Sequence, residues 1–233
     1  MTRETINHIN ANLTWLKTLA IIAMLWDHLA YRLALHTHII AQDWYIAART
    51  PGRICMPIFA FLIAWNYTYN TRDPMKYIQR LALFALACEP IYILYFGYPG
   101  NAFLPLAIGA GLTHYTATTT THRRTKITAM AILAITTGIA FHAPEITAEA
   151  FMIPLIAYHL RTSKTAPIAI AAALTPILNG LCWQFYAAYA LTAVLIAACT
   201  RTSRLPPIRY NKWLAYGFYP LHLTILFGIF GPA

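Results

Sequence analysis

Charged side chains are scarce: Asp, Glu, Lys and Arg make up 10% of the 233 residues, where a soluble domain carries about 25%. That shortage excludes a soluble fold. It also excludes a soluble domain on a single anchor, because apolar runs recur from end to end and no long polar linker interrupts them. Acids are scarcer than bases, seven against 17, for a net charge of +10. Such a balance would suit a nucleic acid, but the bases lie in connections between apolar runs, so no nucleic-acid partner is expected. Cys55, Cys88, Cys182 and Cys199 show neither CxxC spacing nor His partners at metal-ligand intervals. They predict no metal site and read as buried free thiols, with a Cys55–Cys182 disulfide near the outer side as the alternative. No repeat of two similar halves is visible, which counts against a transporter of the internally symmetric kind. The first apolar run carries no small-residue cleavage site and is expected to remain as a helix rather than leave as a signal peptide.

What is present is a series of membrane spans. A span needs about 20 apolar residues, and nine candidates fall at roughly 14–35, 51–69, 77–98, 102–116, 126–142, 146–160, 165–181, 184–200 and 213–231. All 17 bases except Arg32, Arg49 and Arg53 fall at the N-terminal end or in alternate connections. Arg72, Lys76 and Arg80 precede or open the third span; Arg123, Arg124 and Lys126 follow the fourth. Arg161 and Lys164 follow the sixth, and Arg201, Arg204, Arg209 and Lys212 the eighth. By the positive-inside rule the N-terminus is cytoplasmic and the C-terminus external. The fold class expected is an all-α polytopic bundle of about nine transmembrane helices, one domain over residues 1–233, embedded in the lipid bilayer. The basic connections, Arg72 and Arg80 among them, orient the chain and could also attract a phosphorylated cofactor.

An ionisable group inside a span costs at least a few kcal/mol and is a functional hypothesis by default. Counted inward from the basic ends, Asp27 and His28 lie about 20 Å deep. Arg53 opens the second span from the outside, Glu89 lies past the middle of the third, and His222 lies near the centre of the last. Groups at similar depth on different helices can meet only in a shared interior, where Asp27, Glu89, His28, His222 and Arg53 would satisfy one another. A polar network that merely fixes helix packing is the plain alternative. His28 is the best general base among them, with an ordinary pKa near 6.5. Asp27, about 100° away on the same helix, is better placed to act through another helix, for instance through Arg53. Sequence leaves open whether Glu89 or Asp27 is the acid partner of His28.

Lys17 and His28 are eleven residues apart, about three full turns, so they share one face about 16 Å apart along the axis. A lone interfacial Lys usually snorkels. On the face of a buried His it could also hold the phosphates of a cytoplasmic cofactor whose long arm, such as the pantetheine of acyl-CoA, reaches the His.

The run Leu16-Lys17-Thr-Leu-Ala-Ile-Ile-Ala-Met-Leu-Trp-Asp27-His28 resembles the first helix of the TraX family, the F-pilin acetylase-like membrane proteins. Gly52-Arg53-Ile-Cys-Met-Pro57-Ile-Phe59-Ala-Phe61-Leu62, Tyr77-Ile-Gln-Arg80-Leu81 and Trp213-Leu-Ala-Tyr216-Gly-Phe218-Tyr219-Pro220-Leu221-His222-Leu223 resemble its later anchors. Trp65-Asn66-Tyr67 stands where that pattern leads us to expect a Gly-containing segment. A base, ten positions, then His also looks like the hallmark of the acyltransferase-3 transmembrane superfamily. The resemblance implies an inner-membrane acetyltransferase that takes acetyl from acetyl-CoA, needs no metal, and modifies a pilin or other membrane-associated acceptor. It implies His28 as catalytic base and Lys17 as the cofactor-side cation, with Arg53, Glu89 and His222 at polar sites of the pattern. The rival expectation is a proton-coupled transporter using His28, Asp27 and Glu89 as a relay. A thioester-independent flux of solute would mark the rival.

Overall fold

The computed structural model describes residues 1–35, 37, 39–41, 44–118, 144–164 and 183–231. Among them every regular element is helical. The elements are α1 (Arg3–Leu35), α2 (Tyr45–Arg49), a 3-10 turn (Thr50–Ile54), α3 (Cys55–Trp65), a π turn (Asn66–Asn70), α4 (Pro74–Phe96), α5 (Phe103–Thr118), α6 (Pro144–Thr162), α7 (Trp183–Arg201) and α8 (Lys212–Phe230). Among the described residues, three stretches, Arg3–Ala34, Tyr45–Asn70 and Pro74–Phe96, are long and apolar enough to cross a membrane. Exposed Ile22, Leu83, Leu86, Val194 and Ile229 give the helices the apolar outer surface of a membrane protein. The expected spans 126–142 and 165–181 lie outside the described residues, as do Arg123, Arg124, Lys126 and Cys182. Cys88 and Cys199 are free thiols, and Cys55 is buried.

Helix ends depart from the hydropathy boundaries for local reasons. Helix α1 begins at Arg3, eleven residues before the apolar run, because Thr2 caps it: its hydroxyl accepts the Thr5 amide at 3.2 Å. Glu4 in the first turn and Arg32 in the last complement the helix dipole. Asp73 caps α4 by accepting the Lys76 amide at 3.1 Å, with Pro74 at the first helical position. Gly97, at φ +80°, ends α4 by donating to Ile93 O at 2.8 Å. The second span is not a regular helix from 51 to 69. Pro51 and Gly52 open it as a 3-10 turn, and Asn66–Asn70 close it as a π turn, fixed by Thr71 N donating to Asn66 O at 2.8 Å.

The chain divides into two compact units, each discontinuous in sequence. Residues 1–59, 91–98 and 183–233 form the first; residues 60–90 and 99–182 form the second. In the second, α5 and α6 pack face to face over small residues, with Ala110, Ala150 and Ala157 fully buried. Their approach is so close that a Cβ on Gly109 would stand 2.6 Å from Ile153 Cδ1 and 3.1 Å from Ala150 O. In the first unit α1 is the central element, packed on α2, the 3-10 turn, α7 and α8. A chain segment from Thr202 to Asn211, here the strap, joins α7 to α8 and runs along α1.

Candidate active site

The strap is held by side chains of α1. Asn12, fully buried, donates to Cys199 O at 2.9 Å and Thr202 O at 3.2 Å, supplying partners for carbonyls at the end of α7. Its Oδ1 accepts the Leu205 amide at 2.8 Å. Two residues on, the Thr14 hydroxyl accepts the Ile208 amide at 2.9 Å, and Trp15 Nε1 donates to Pro206 O at 2.8 Å. Thr18 bonds the Tyr210 hydroxyl, which sets the Tyr210 ring beneath Lys17, whose Nζ stands 5.1 Å from the ring centroid. Lys17 is thus half-buried near the middle of α1 and shares a cation–π contact.

Three turns along the same face, His28 meets His222 of α8. His28 Nδ1 and His222 Nε2 are 2.7 Å apart. The ring planes are within 4° and the centroids 5.0 Å apart. Rings stacked face on face cannot bring two nitrogens to that distance, so the imidazoles lie edge to edge in one plane, the best alignment for N–H···N. His222 Nδ1 stands 2.8 Å from Phe218 O. A carbonyl only accepts, so His222 carries its proton on Nδ1. For neutral rings the rest follows by elimination: His222 Nε2 accepts from His28 Nδ1–H, and His28 Nε2 is left with a lone pair. Phe96 and Tyr219 meet the His28 ring edge-on, at 5.3 and 6.2 Å. Both histidines are buried.

Asp27 faces a different partner. Its carboxylate takes a two-pronged bond from Arg49, Nε to Oδ1 at 3.0 Å and Nη2 to Oδ2 at 2.6 Å. Arg53 Nε stands 3.8 Å from Oδ1. Tyr45 accepts from Arg49 Nη1 at 2.5 Å, and the Tyr31 ring lies 5.2 Å from its guanidinium. Gly52 permits the contact: a Cβ there would be 2.3 Å from Asp27 Cβ and 2.9 Å from Ala23 O. Arg32, fully buried, donates to Tyr95 O with its guanidinium carbon 4.0 Å over the Tyr95 ring. Tyr95 in turn donates its hydroxyl to His28 O at 2.9 Å. The backbone of His28 is therefore held from α4 and its side chain from α8.

Of the residues singled out in the sequence, the structure brings His28 to His222 and Asp27 to Arg53. Glu89 lies in the second unit, where its carboxylate accepts the Gly100 amide at 2.6 Å and the Asn101 amide at 3.2 Å. The Asn101 side chain adds a further bond to it and caps α5 through the Phe103 amide at 2.9 Å. These bonds give Glu89 a local structural task. Arg72 and Arg80 are exposed around the start of α4, and Arg80 Nε donates to Lys76 O at 3.1 Å. Sequence reasoning missed Arg49, Arg32 and Tyr95. A signal for the first two existed: with Arg53 they are the three bases that fall outside the N-terminal end and the basic connections. Among the described residues no group of three His, Cys, Asp or Glu side chains is placed to hold a metal ion.

No curated protein and no solved structure matches the chain. A family model described as TraX protein matches residues 12–230. The match runs from the asparagine that pins the strap, through both histidines, to the last residue of α8; the chain belongs to the TraX family.

Proposed function

We propose that the chain is a membrane acetyltransferase with a His general base, moving acetyl from cytoplasmic acetyl-CoA to an amine or hydroxyl, in the TraX setting the N-terminus of a conjugative pilin subunit. One observation carries the reading. The in-line series Phe218 O, His222 and His28 leaves a lone pair on His28 Nε2, in an apolar wall of Phe96 and Tyr219. In the proposed step Nε2 takes a proton from the acceptor as its nitrogen or oxygen bonds the thioester carbonyl carbon. The carbon–sulfur bond then breaks, and the proton passes from Nε2 to the departing thiolate. His222 Nε2 accepts from His28 Nδ1–H throughout, which fixes the ring and spreads the charge formed on it. Asp27, neutralised by Arg49 and Arg53, holds the 45–54 segment against α1 and serves as a positioning residue. Lys17, about 16 Å below His28 by the helix rise, supports docking of the donor's phosphates, with Arg72 and Arg80 as further attraction at the proposed inner-membrane surface. The nine-span topology with the N-terminus inside belongs to the same proposal.

The test is intact-mass analysis of pilin from cells with the chain, without it, and with His28→Ala. The expected pattern is one acetyl group added only by the unsubstituted protein, since loss of a general base costs about 10²–10⁴ in rate. Normal acetylation by a His28→Ala protein that folds would overturn the assignment.

A further inference from the structure

A cavity of about 760 Å³ opens between the first turns of α1 and the strap, lined by Glu4, Asn7, His8, Asn10, Arg204 and Pro207. Its volume lies within the range of small-molecule sites, about 300–1,000 Å³. Its lining is unusual for this chain. Most of the protein presents apolar side chains, yet here two primary amides, an imidazole, a carboxylate and a guanidinium face one space. One wall is fixed, because Asn12, Thr14 and Trp15 hold the strap at Leu205, Ile208 and Pro206.

We infer that this cavity holds the nucleotide end of the acyl-CoA donor. The inference rests on the acetyltransferase reading and adds the place where the donor's polar end is recognised. Arg204 offers the planar donor fork that suits phosphate oxygens. Asn7 and Asn10 each present a donor beside an acceptor, the pairing that fits an adenine edge. Glu4 can accept from a ribose hydroxyl. The axial order matches the donor's parts. Asn10 lies about 10 Å below Lys17, and Lys17 about 16 Å below His28, all three within about 20° around the helix. Nucleotide at the cavity, diphosphate at Lys17 and thioester at His28 is the order in which CoA is built. An anionic lipid headgroup shares the phosphate but has no purine for the two amides.

The test is direct binding to the purified full-length protein in detergent. The probes are CoA and 4′-phosphopantetheine, with adenosine 3′,5′-bisphosphate and phosphatidylglycerol as competitors. The unsubstituted protein is expected to bind CoA at least about tenfold more tightly than phosphopantetheine, and to release it to the bisphosphate. In Asn7→Ala/Arg204→Gln, two exposed positions, the preference should shrink to within about threefold while unfolding is unaltered. An unchanged preference in that variant, or displacement of CoA by the lipid and not by the bisphosphate, overturns the inference and leaves the acetyltransferase reading standing. Absence of any CoA binding by the unsubstituted protein overturns both.

Discussion

Gly52→Ala is a one-carbon change with a calculable consequence. Its Cβ would sit 2.3 Å from Asp27 Cβ and 2.9 Å from both Asp27 Cα and Ala23 O, where carbon atoms in contact rest at about 3.5–4.0 Å. The obstructing atoms are backbone or next to it, so no rotamer change relieves the clash. The 3-10 turn must back away from α1 by about 1.2–1.7 Å. The Arg49–Asp27 bonds, at 2.6 and 3.0 Å, have only a few tenths of an ångström before they pass the limit of about 3.2 Å. Overpacking alone costs about 1–3 kcal/mol; stranding a buried charge costs about 3–5 kcal/mol. The second effect dominates, and a loss of about 3–5 kcal/mol is expected. The measurement is reversible SDS titration in mixed micelles, with Gly111→Ala as control. A Cβ on Gly111 meets nothing within 4 Å, and a mid-helix Gly→Ala change there should be neutral or stabilising by about 0.5–1 kcal/mol. If the two variants unfold alike, the close approach at Gly52 is not what seats the Arg49–Asp27 pair.

Gly109→Ala should cost about 1–3 kcal/mol in the same titration, because Ile153 and Ala150 O must move apart from α5; wild-type stability would show that α5 and α6 separate freely. His222→Phe keeps an aromatic ring but removes the acceptor for His28 Nδ1–H, so acetyl transfer should slow about 10²-fold and the pH–rate profile should move. A slower enzyme with an unmoved profile would assign His222 to packing alone. Asp73 provides a pH test outside the spans. The Lys76 amide, and after it the Lys76 ammonium, holds its carboxyl below the ordinary carboxylate range. A depressed folded value means the cap's contribution is complete above the unfolded pKa, about 3.9. That contribution fades as pH falls through the lower folded value, so exchange protection at the start of α4 should drop there. Asp73→Asn should abolish that pH dependence; an identical profile in the variant would refute the cap.

Helix α1 was legible because an apolar run with Lys17 and His28 about three helical turns apart on one face leaves little choice of structure. Its true start was not, because hydropathy reports where lipid begins while the Thr2 cap reports where hydrogen bonding begins. Depth counting placed His28 and His222 at comparable levels, since helix rise is constant. It could not foresee that Glu89 serves the Gly100–Asn101 turn, which depends on the conformation of the residues after α4. Arg49 escaped for the opposite reason. Its place outside the basic connections marked it as unusual, but the fold-back of α2 on α1 was needed to reveal Asp27 opposite. The π turn at Asn66–Asn70 falls on the departure from the TraX pattern noted at Trp65-Asn66-Tyr67, a local backbone choice that composition does not encode.

The bond between His28 and His222 spans 194 residues of sequence, and the ties at Asn12 and Thr14 span 187 and 194. Biosynthesis runs in one direction, so α1 enters the membrane long before its partners exist. Until the strap emerges Lys17 lacks Tyr210, and until α8 arrives His28 lacks its Nδ1 acceptor. Any earlier stage therefore holds His28 without its orienting partner, and the proposed chemistry would wait for the last helix. Under the proposed acetyltransferase reading, a nascent or truncated chain would be inserted but silent, and the thioester pool would be spared a half-built enzyme.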